Sequence, residues 1–443
     1  MKTLLTITPI LVLSCGVLSC GAALAAEADM PEAESWSLHG QFTLVEQYHP
    51  SFTSPYRGAN SLDPAARGNE TTDATLYAGA RLWPGMEFYA NPEIDQGFGL
   101  SNTLGVAGFP SAEAYKVGES EPYIRLDRAF FRQTFNLGGD LQPLEAGANQ
   151  LGGSRTADNL VITAGKFSVT DIFDTNSYAH DPRKDFLNWT VVDSGAFDYA
   201  ADAWGYSYGA AAEWTQSWWT LRAGVFDLSR KPNDKALERG FGQYELVVEA
   251  EERHQLMGRD GKVKLLVFQN HANMGGYADA VRQAALTGGT PDSGDVRRYA
   301  TRAGFALNAE QQMGDDWGLF LRASANDGSK EAYEFTDVNK SLAVGASTTG
   351  AAWGRTQDTA GMAGVVNMMN ADARAYLAAG GAGILVGDGR LSYSSERVVE
   401  AYYSAALWTG LNLTLDYQFI ANPAYNRDRG PANVLGLRFH AEI

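Results

Sequence analysis

Carboxylates are the side chains most able to do chemistry in this sequence, and they recur in short runs: Glu87, Glu93 and Asp95, then Glu245 and Glu249. A glycosidase needs one acid and one base or nucleophile at a fixed separation. Carboxylates repeated along several segments form a polar wall instead of one poised pair. Gly205-Tyr206-Ser207-Tyr208-Gly209 has the G-x-S-x-G form of a hydrolase nucleophile elbow, which requires a strand, a sharp turn and then a helix. Here it sits inside one alternating run, so the match reads as coincidence. His39, His49, His180, His254, His271 and His440 show no paired metal-ligand spacing. Asp171, Asp174 and Asn176 lack the residue order of a calcium loop. No catalytic residue, metal or cofactor is therefore expected, and a β enzyme acting on glycosides through its carboxylates is kept as the alternative.

The stretch from 169 to 201 is chemically the richest. It holds Asp171, Asp174, Tyr178, His180, Asp181, Arg183, Lys184, Asp185, Phe186, Asn188 and Trp189. Charges of both signs hydrogen-bond hydroxyls, and aromatic faces stack on the apolar faces of sugar rings, so such a loop could narrow a channel. The same residues would serve equally to pin the loop to a wall by salt bridges. Further along, Lys262, Lys264, Arg298, Arg302 and Arg322 could face the acidic wall and set a transverse field across a pore.

The elements that would position these groups are strands. From Trp204 the even positions Tyr206, Tyr208, Ala210, Ala212 and Trp214 are apolar and the residues between them small or polar, a period of two. Leu411, Leu413, Leu415, Tyr417 and Phe419 repeat the pattern against Asn412, Thr414, Asp416 and Gln418, and so does the run from Leu435 to Ile443. Roughly sixteen such candidates of about ten residues can be placed, the length a tilted strand needs to cross a bilayer. They begin near residues 36, 72, 85, 122, 158, 202, 217, 242, 261, 297, 314, 338, 358, 395, 411 and 432.

Alternate joints are tight, as at Pro84-Gly85, Gln216-Ser217, Gln312-Met313 and Thr409-Gly410, while those between are long. The joint 136–157 breaks the rule, being long on the short side. Trp83, Trp214, Trp218, Trp219, Trp317 and Trp408 lie near the tight turns, where an aromatic girdle meets the lipid–water boundary. The fold expected is a transmembrane antiparallel β-barrel of about sixteen strands, with short periplasmic turns, long extracellular loops and one loop folded into the lumen. An even strand count closes the sheet and leaves no unpaired edge in hydrocarbon.

Composition agrees. Lys and Arg number 35 against 52 Asp and Glu, a net charge of -17, which repels phosphate backbones and argues against nucleic acid as a partner. Lys2, the apolar stretch Leu4 to Leu18 and Ala23-Leu24-Ala25 read as a secretory signal over residues 1–25, leaving 26–443 as one barrel domain. Both cysteines, Cys15 and Cys20, fall in that leader, so the mature chain has no thiol for a disulfide or a metal.

Four runs carry a family resemblance: NPEIDQGFGLSNTLGVAGFPSAEAYK from Asn91, GKFSVTDIFDTNSYAHDPRKDFLNW from Gly165, DYAADAWGYSYGAA from Asp198 and LDYQFIANPAYNRDRGP from Leu415. Over its mature length the chain resembles the carbohydrate-selective, OprB-like porins of Gram-negative outer membranes. The resemblance implies a sixteen-stranded barrel that passes small sugars down their gradient, with Lys166, Asp171, Asp174, Asp181, Arg183 and Asp185 at or near the constriction. Trp189, Arg298, Arg302 and Arg322 join them as candidate substrate contacts. Expected partners are small carbohydrates, outer-membrane lipid and the barrel-assembly machinery, with a homotrimer as one possible assembly.

The chain departs from the pattern in ending on Ile443 where such barrels commonly end in an aromatic. It also places Arg128 and Arg132 on the apolar face of their strand. A charge turned to lipid at the midplane would cost about 2 to 4 kcal/mol, so a bulge or register change that turns both inward is expected.

Overall fold

The computed structural model describes residues 33–115, 118–334 and 336–443. The leader and its two cysteines lie outside the described residues. Sixteen antiparallel strands close on themselves, each paired with its sequence neighbours and the first with the last. They are β1 Trp36–His49, β2 Arg67–Trp83, β3 Met86–Gly97, β4 Glu119–Leu144, β5 Gly153–Phe167, β6 Ser207–Gln216, β7 Trp219–Asp227 and β8 Tyr244–Leu256 in the first half. The second half holds β9 Arg259–Gly275, β10 Arg297–Gln312, β11 Trp317–Asn326, β12 Lys340–Gly350, β13 Arg355–Met368, β14 Glu396–Trp408, β15 Leu411–Ala421 and β16 Ala432–Glu442.

Alternation decides which way each side chain points. In β15, Leu415, Tyr417 and Phe419 are exposed while Thr414, Asp416 and Gln418 are buried; in β3, Glu87, Glu93 and Asp95 are buried and Ile94 is exposed. Large apolar residues on the outside and buried carboxylates on the inside are the inverse of a soluble barrel and suit a lipid-facing wall. Trp83, Trp214, Trp218, Trp317 and Trp408 are exposed beside the tight turns, with Trp219 packed edge-on against Trp214 at 5.1 Å.

Two expectations need adjusting. The alternating run that begins at Trp204 is strand only from Ser207, because Gly205 adopts φ +106° and ends the extended repeat; Trp204 and Tyr206 turn into the interior. At the 136–157 joint, β4 and β5 run on past the wall and stay paired to Leu144–Gly153, so only residues 145–152 form the turn. That tongue folds back against the barrel mouth, where Asn91 and Arg132 donate to Asn149 at 2.9 and 2.8 Å. Arg128 and Arg132 do turn inward. The register between β3 and β4 jumps from Asn91↔Arg128 to Pro92↔Leu126, so Asp127 is bulged out of the ladder and the parity of β4 reverses there.

The connection between β5 and β6 crosses the interior. Its backbone and side chains bond inward-facing residues of β8 (Glu249), β10 (Asn308, Glu310), β11 (Ser324, Arg322) and β16 (Arg438). A segment with partners on so many strands lies inside the ring they form. The short helix α1, Trp189–Val192, sits within it, its first turn capped by Asn188.

Candidate functional site

The inward carboxylates have a job that the sequence did not show. Glu249 accepts from the amide of Asp174 at 2.8 Å, Glu310 from Ser177 at 2.7 Å, Glu396 from Ala107 and Gly108 at 2.9 and 2.7 Å, and Glu400 from Leu187 and Asn188. Irregular backbone buried in a barrel carries amides with no ladder to join, and these carboxylates satisfy them. No pair among them stands free as an acid and base.

The basic residues of the second half follow the same logic, which corrects the expectation of a free cationic wall. Arg302 and Asp198 form an ion pair, both with fully buried side chains. Arg322 donates to the carbonyls of Val191 and Asp174 at 2.7 and 3.1 Å, and Lys264 holds Thr175 through its hydroxyl at 2.6 Å. Lys262 pairs with Glu310 at 2.9 Å. Arg298 is exposed and pairs with Asp279 on the surface helix Tyr277–Thr287, away from the interior. Asp174 accepts from Ser194 and Asn308 and anchors the loop, while Asp185 closes a turn onto the amides of His180 and Asp181. Lys166 faces the outer rim, donating to the Leu126 carbonyl and lining a separate recess with Arg230 and Arg239.

Four of the expected residues, Asp171, Asp181, Arg183 and Trp189, do converge on one cavity of about 420 Å³. Its strand wall is supplied by Gln41 of β1, Tyr77 of β2, Arg128 of β4 and Glu442 of β16. The β3–β4 connection adds Glu113 and Tyr115, the tongue adds Asn149, and the segment just before β6 adds Trp204 and Tyr206. Arg183 is the hub: its guanidinium lies 3.1 Å from Asp73, 3.2 Å from Glu93 and 2.9 Å from Glu113. Burial opposes its charge, but these three carboxylates hold its pKa well above the ordinary value.

Arg128 grips Asp171 with two nitrogens at 2.8 and 2.7 Å. Burial pushes the Asp171 carboxyl up, yet Arg128 outweighs it and keeps the group below the usual carboxylate range. Trp189 stacks on Phe109 at 5.2 Å and 10°, joining the two long connections that narrow the interior. Five carboxylates (Glu113, Asp171, Asp181, Asp193, Glu442) against Arg128, Arg183 and Lys184 leave the lining acidic.

Several lining residues were missed in the sequence. Tyr77 and Gln41 were readable from strand parity alone; Glu113, Tyr115, Asn149 and Tyr206 lie in irregular backbone, where no period marks the direction of a side chain.

A closed sixteen-stranded barrel with an apolar outside and a narrowed, charged interior defines an outer-membrane porin. The sequence matches the profile of the OprB family, carbohydrate-selective porins, over residues 59–442, and the chain belongs to that family. The fold is that of Pseudomonas putida OprB in its high-pH structure, with a TM-score of 0.69 at 16% identity over 92% of this chain and 94% of that one. The low-pH structure of the same protein gives 0.51 at 12% identity over 92% and 93%. The outer membrane channel DcaP of Acinetobacter baumannii gives 0.50 at 10% identity over 92% and 97%. No curated protein matches the sequence.

Proposed function

We propose that this porin passes small neutral sugars down their gradient, unchanged, through the cavity between the β1–β4 wall and the β5–β6 connection. The observation that carries this reading is the Arg183 hub. Fixed charges of both signs, paired with each other in a lining that is acidic overall, offer donors and acceptors to hydroxyls, and Tyr77, Tyr115, Trp204 and Tyr206 add aromatic surface. Asp171, Asp181, Arg183 and Trp189 are the contacts we assign to the constriction, with Arg128 and Glu113. The excess of carboxylates makes the pore lean towards cations. Export would use the 1–25 leader, cleaved before Ala26, which N-terminal sequencing of the purified protein checks.

The test is single-channel current from detergent-purified protein in a planar bilayer, with and without glucose and maltose. Steady conductance that a sugar reduces or makes noisy supports the reading. Conductance indifferent to any sugar refutes it, and an anion-preferring reversal potential in a salt gradient refutes the selectivity assigned here.

A further inference from the structure

Three carboxylates beside the hub are arranged for something other than holding a loop. Glu93 and Asp95 of β3 and Asp127 of β4 each turn a ligand oxygen to within 4.8 Å of the other two. Their relative exposures are 0, 1 and 0%. The bulge that reverses the parity of β4 is what brings Asp127 into this group, since it leaves that residue out of the ladder and facing inward next to Glu93 and Asp95. The ligands thus come from two strands, and no sequence motif could announce them.

The donors available do not cover the acceptors. Glu93 takes Tyr115 at 2.7 Å on one oxygen, and Thr75 and Arg183 on the other. Asp127 takes Arg125 at 3.0 Å on Oδ1 only, and Arg125 is shared with Asp202. Both oxygens of Asp95 and Oδ2 of Asp127 are buried without a hydrogen-bond donor among the described residues. Buried carboxylate oxygens are nearly always paired, and an unpaired buried charge is strongly unfavourable. An all-oxygen set with open positions matches a hard divalent cation, and calcium accepts the irregular, mixed mono- and bidentate coordination such a set gives, where magnesium demands an octahedron.

We propose that Glu93, Asp95 and Asp127 bind one divalent hard cation, with calcium preferred. The site is independent of which solute the pore passes, although Glu93 links it to Arg183. A bound cation neutralises charge beside the hub and ties β3 to β4 at the bulge.

Detergent-folded protein, stripped with a chelator and dialysed, is titrated with calcium by calorimetry and with terbium by luminescence, for which Tyr115 and Tyr123 are nearby antennae. One saturable equivalent is expected, with calcium displacing terbium. Asp95→Asn and Asp127→Asn should each weaken binding at least about tenfold, the scale at which even outer-shell partners act, while the exposed control Asp315→Asn binds as the native chain does. Asp95→Asn keeps the shape and removes a charge from a crowded cluster, and heat-modifiable gel migration verifies its folding. If it does not fold, Asp127→Asn and the native thermal midpoint with calcium against chelator decide: a rise with calcium that Asp127→Asn loses supports the site.

Absence of saturable binding, binding unchanged in Asp95→Asn or Asp127→Asn, or a midpoint indifferent to calcium overturns the proposal. So does a protonated-carboxyl infrared band that persists at saturating calcium and disappears in Asp95→Asn, because a shared proton then does the work assigned to the metal.

Discussion

Replacing Arg302 with Met removes one charge of a buried pair while keeping the volume of the side chain. Breaking a buried ion pair by removing one partner costs about 3 to 5 kcal/mol, because the other charge stays buried. Asp198 retains the amides of Tyr333 at 2.7 Å and Glu334 at 3.0 Å, so the lower end, about 3 kcal/mol, applies. That energy falls on docking of the segment around Asp198, which is held by Asn270 at its carbonyl and by Glu245 at the Ala200 amide, and not on the barrel wall. At about 1.4 kcal/mol per tenfold, the locally open population rises by roughly two orders of magnitude.

Amide exchange scales with that population when closing is fast. Hydrogen exchange read by mass spectrometry on peptides spanning residues 195–202 should therefore accelerate about a hundredfold, a figure carried over from the same conversion, while peptides from β1 and β16 exchange as before. Open-channel noise should rise in parallel. The double variant Asp198→Asn with Arg302→Met, which removes both charges of the pair, should recover most of the protection. Unchanged exchange in the single variant would refute the argument that the pair fastens the loop, and acceleration spread evenly over the barrel would refute its local character.

Trp189→Ala opens a void where the two long connections stack, a loss of about 3 to 5 kcal/mol for a buried Trp, and should raise unitary conductance while weakening sugar-induced block. Arg183→Gln leaves Asp73, Glu93 and Glu113 without their shared cation, so the reversal potential should move further towards cation preference; no shift would remove Arg183 from the conduction path. Burial, with the nearby Asp174 charge, pushes Asp193 up to about 7 from an ordinary 3.8. The docked loop therefore holds a proton that the undocked loop has released, and docking weakens as pH rises from about 4 to 7, by at most about 1.4 kcal/mol per unit. Exchange of the same peptides, corrected for its intrinsic pH dependence, should show that slope and lose it in Asp193→Asn. Since residues 26–443 contain no cysteine, single cysteines report access cleanly: Tyr77→Cys and Gln41→Cys should react with a charged thiol reagent and block current, and Val247→Cys should not.

The barrel was legible because its wall obeys one rule. Period two, tight turns at alternate joints and Trp beside them placed all sixteen strands, and the cost of an arginine in lipid was enough to foresee that β4 must break register at Arg128. The interior obeys no such rule. Asp171 and Asp174 are three residues apart and equally polar, yet one lines the cavity and the other is sealed under Ser194 and Asn308. What separates them is the path of irregular backbone, including a left-handed Asp174 at φ +58°, and no local propensity dictates that path. Arg302 and Arg322 misled for a related reason. Inward direction was read correctly, but an inward cation meets water only where no loop lies over it.

Which part of the lumen stays open is nevertheless written in the inward half of the alternation. The buried inward residues of β8 to β15 include Val247, Leu266, Phe268, Phe320, Val365, Val398 and Ile420, and these pack against Phe173, Phe186, Val191 and Phe197 of the inserted loop. Inward apolar groups would gain nothing from a water-filled pore, so their presence already marks wall that a loop must cover. On β1 to β3 the buried inward positions are mainly polar, Thr43, Gln47, Asp73, Thr75, Glu87, Asn91, Glu93 and Asp95 beside Val45, Tyr77 and Tyr89, and several of the polar groups pair with one another or with Arg183. The cavity lies against that side, with Gln41 and Tyr77 on its wall. A loop drawn by burial to one side of a barrel leaves the other side open, so under the proposed function the same hydrophobic effect that docks the loop would determine where the solute passes.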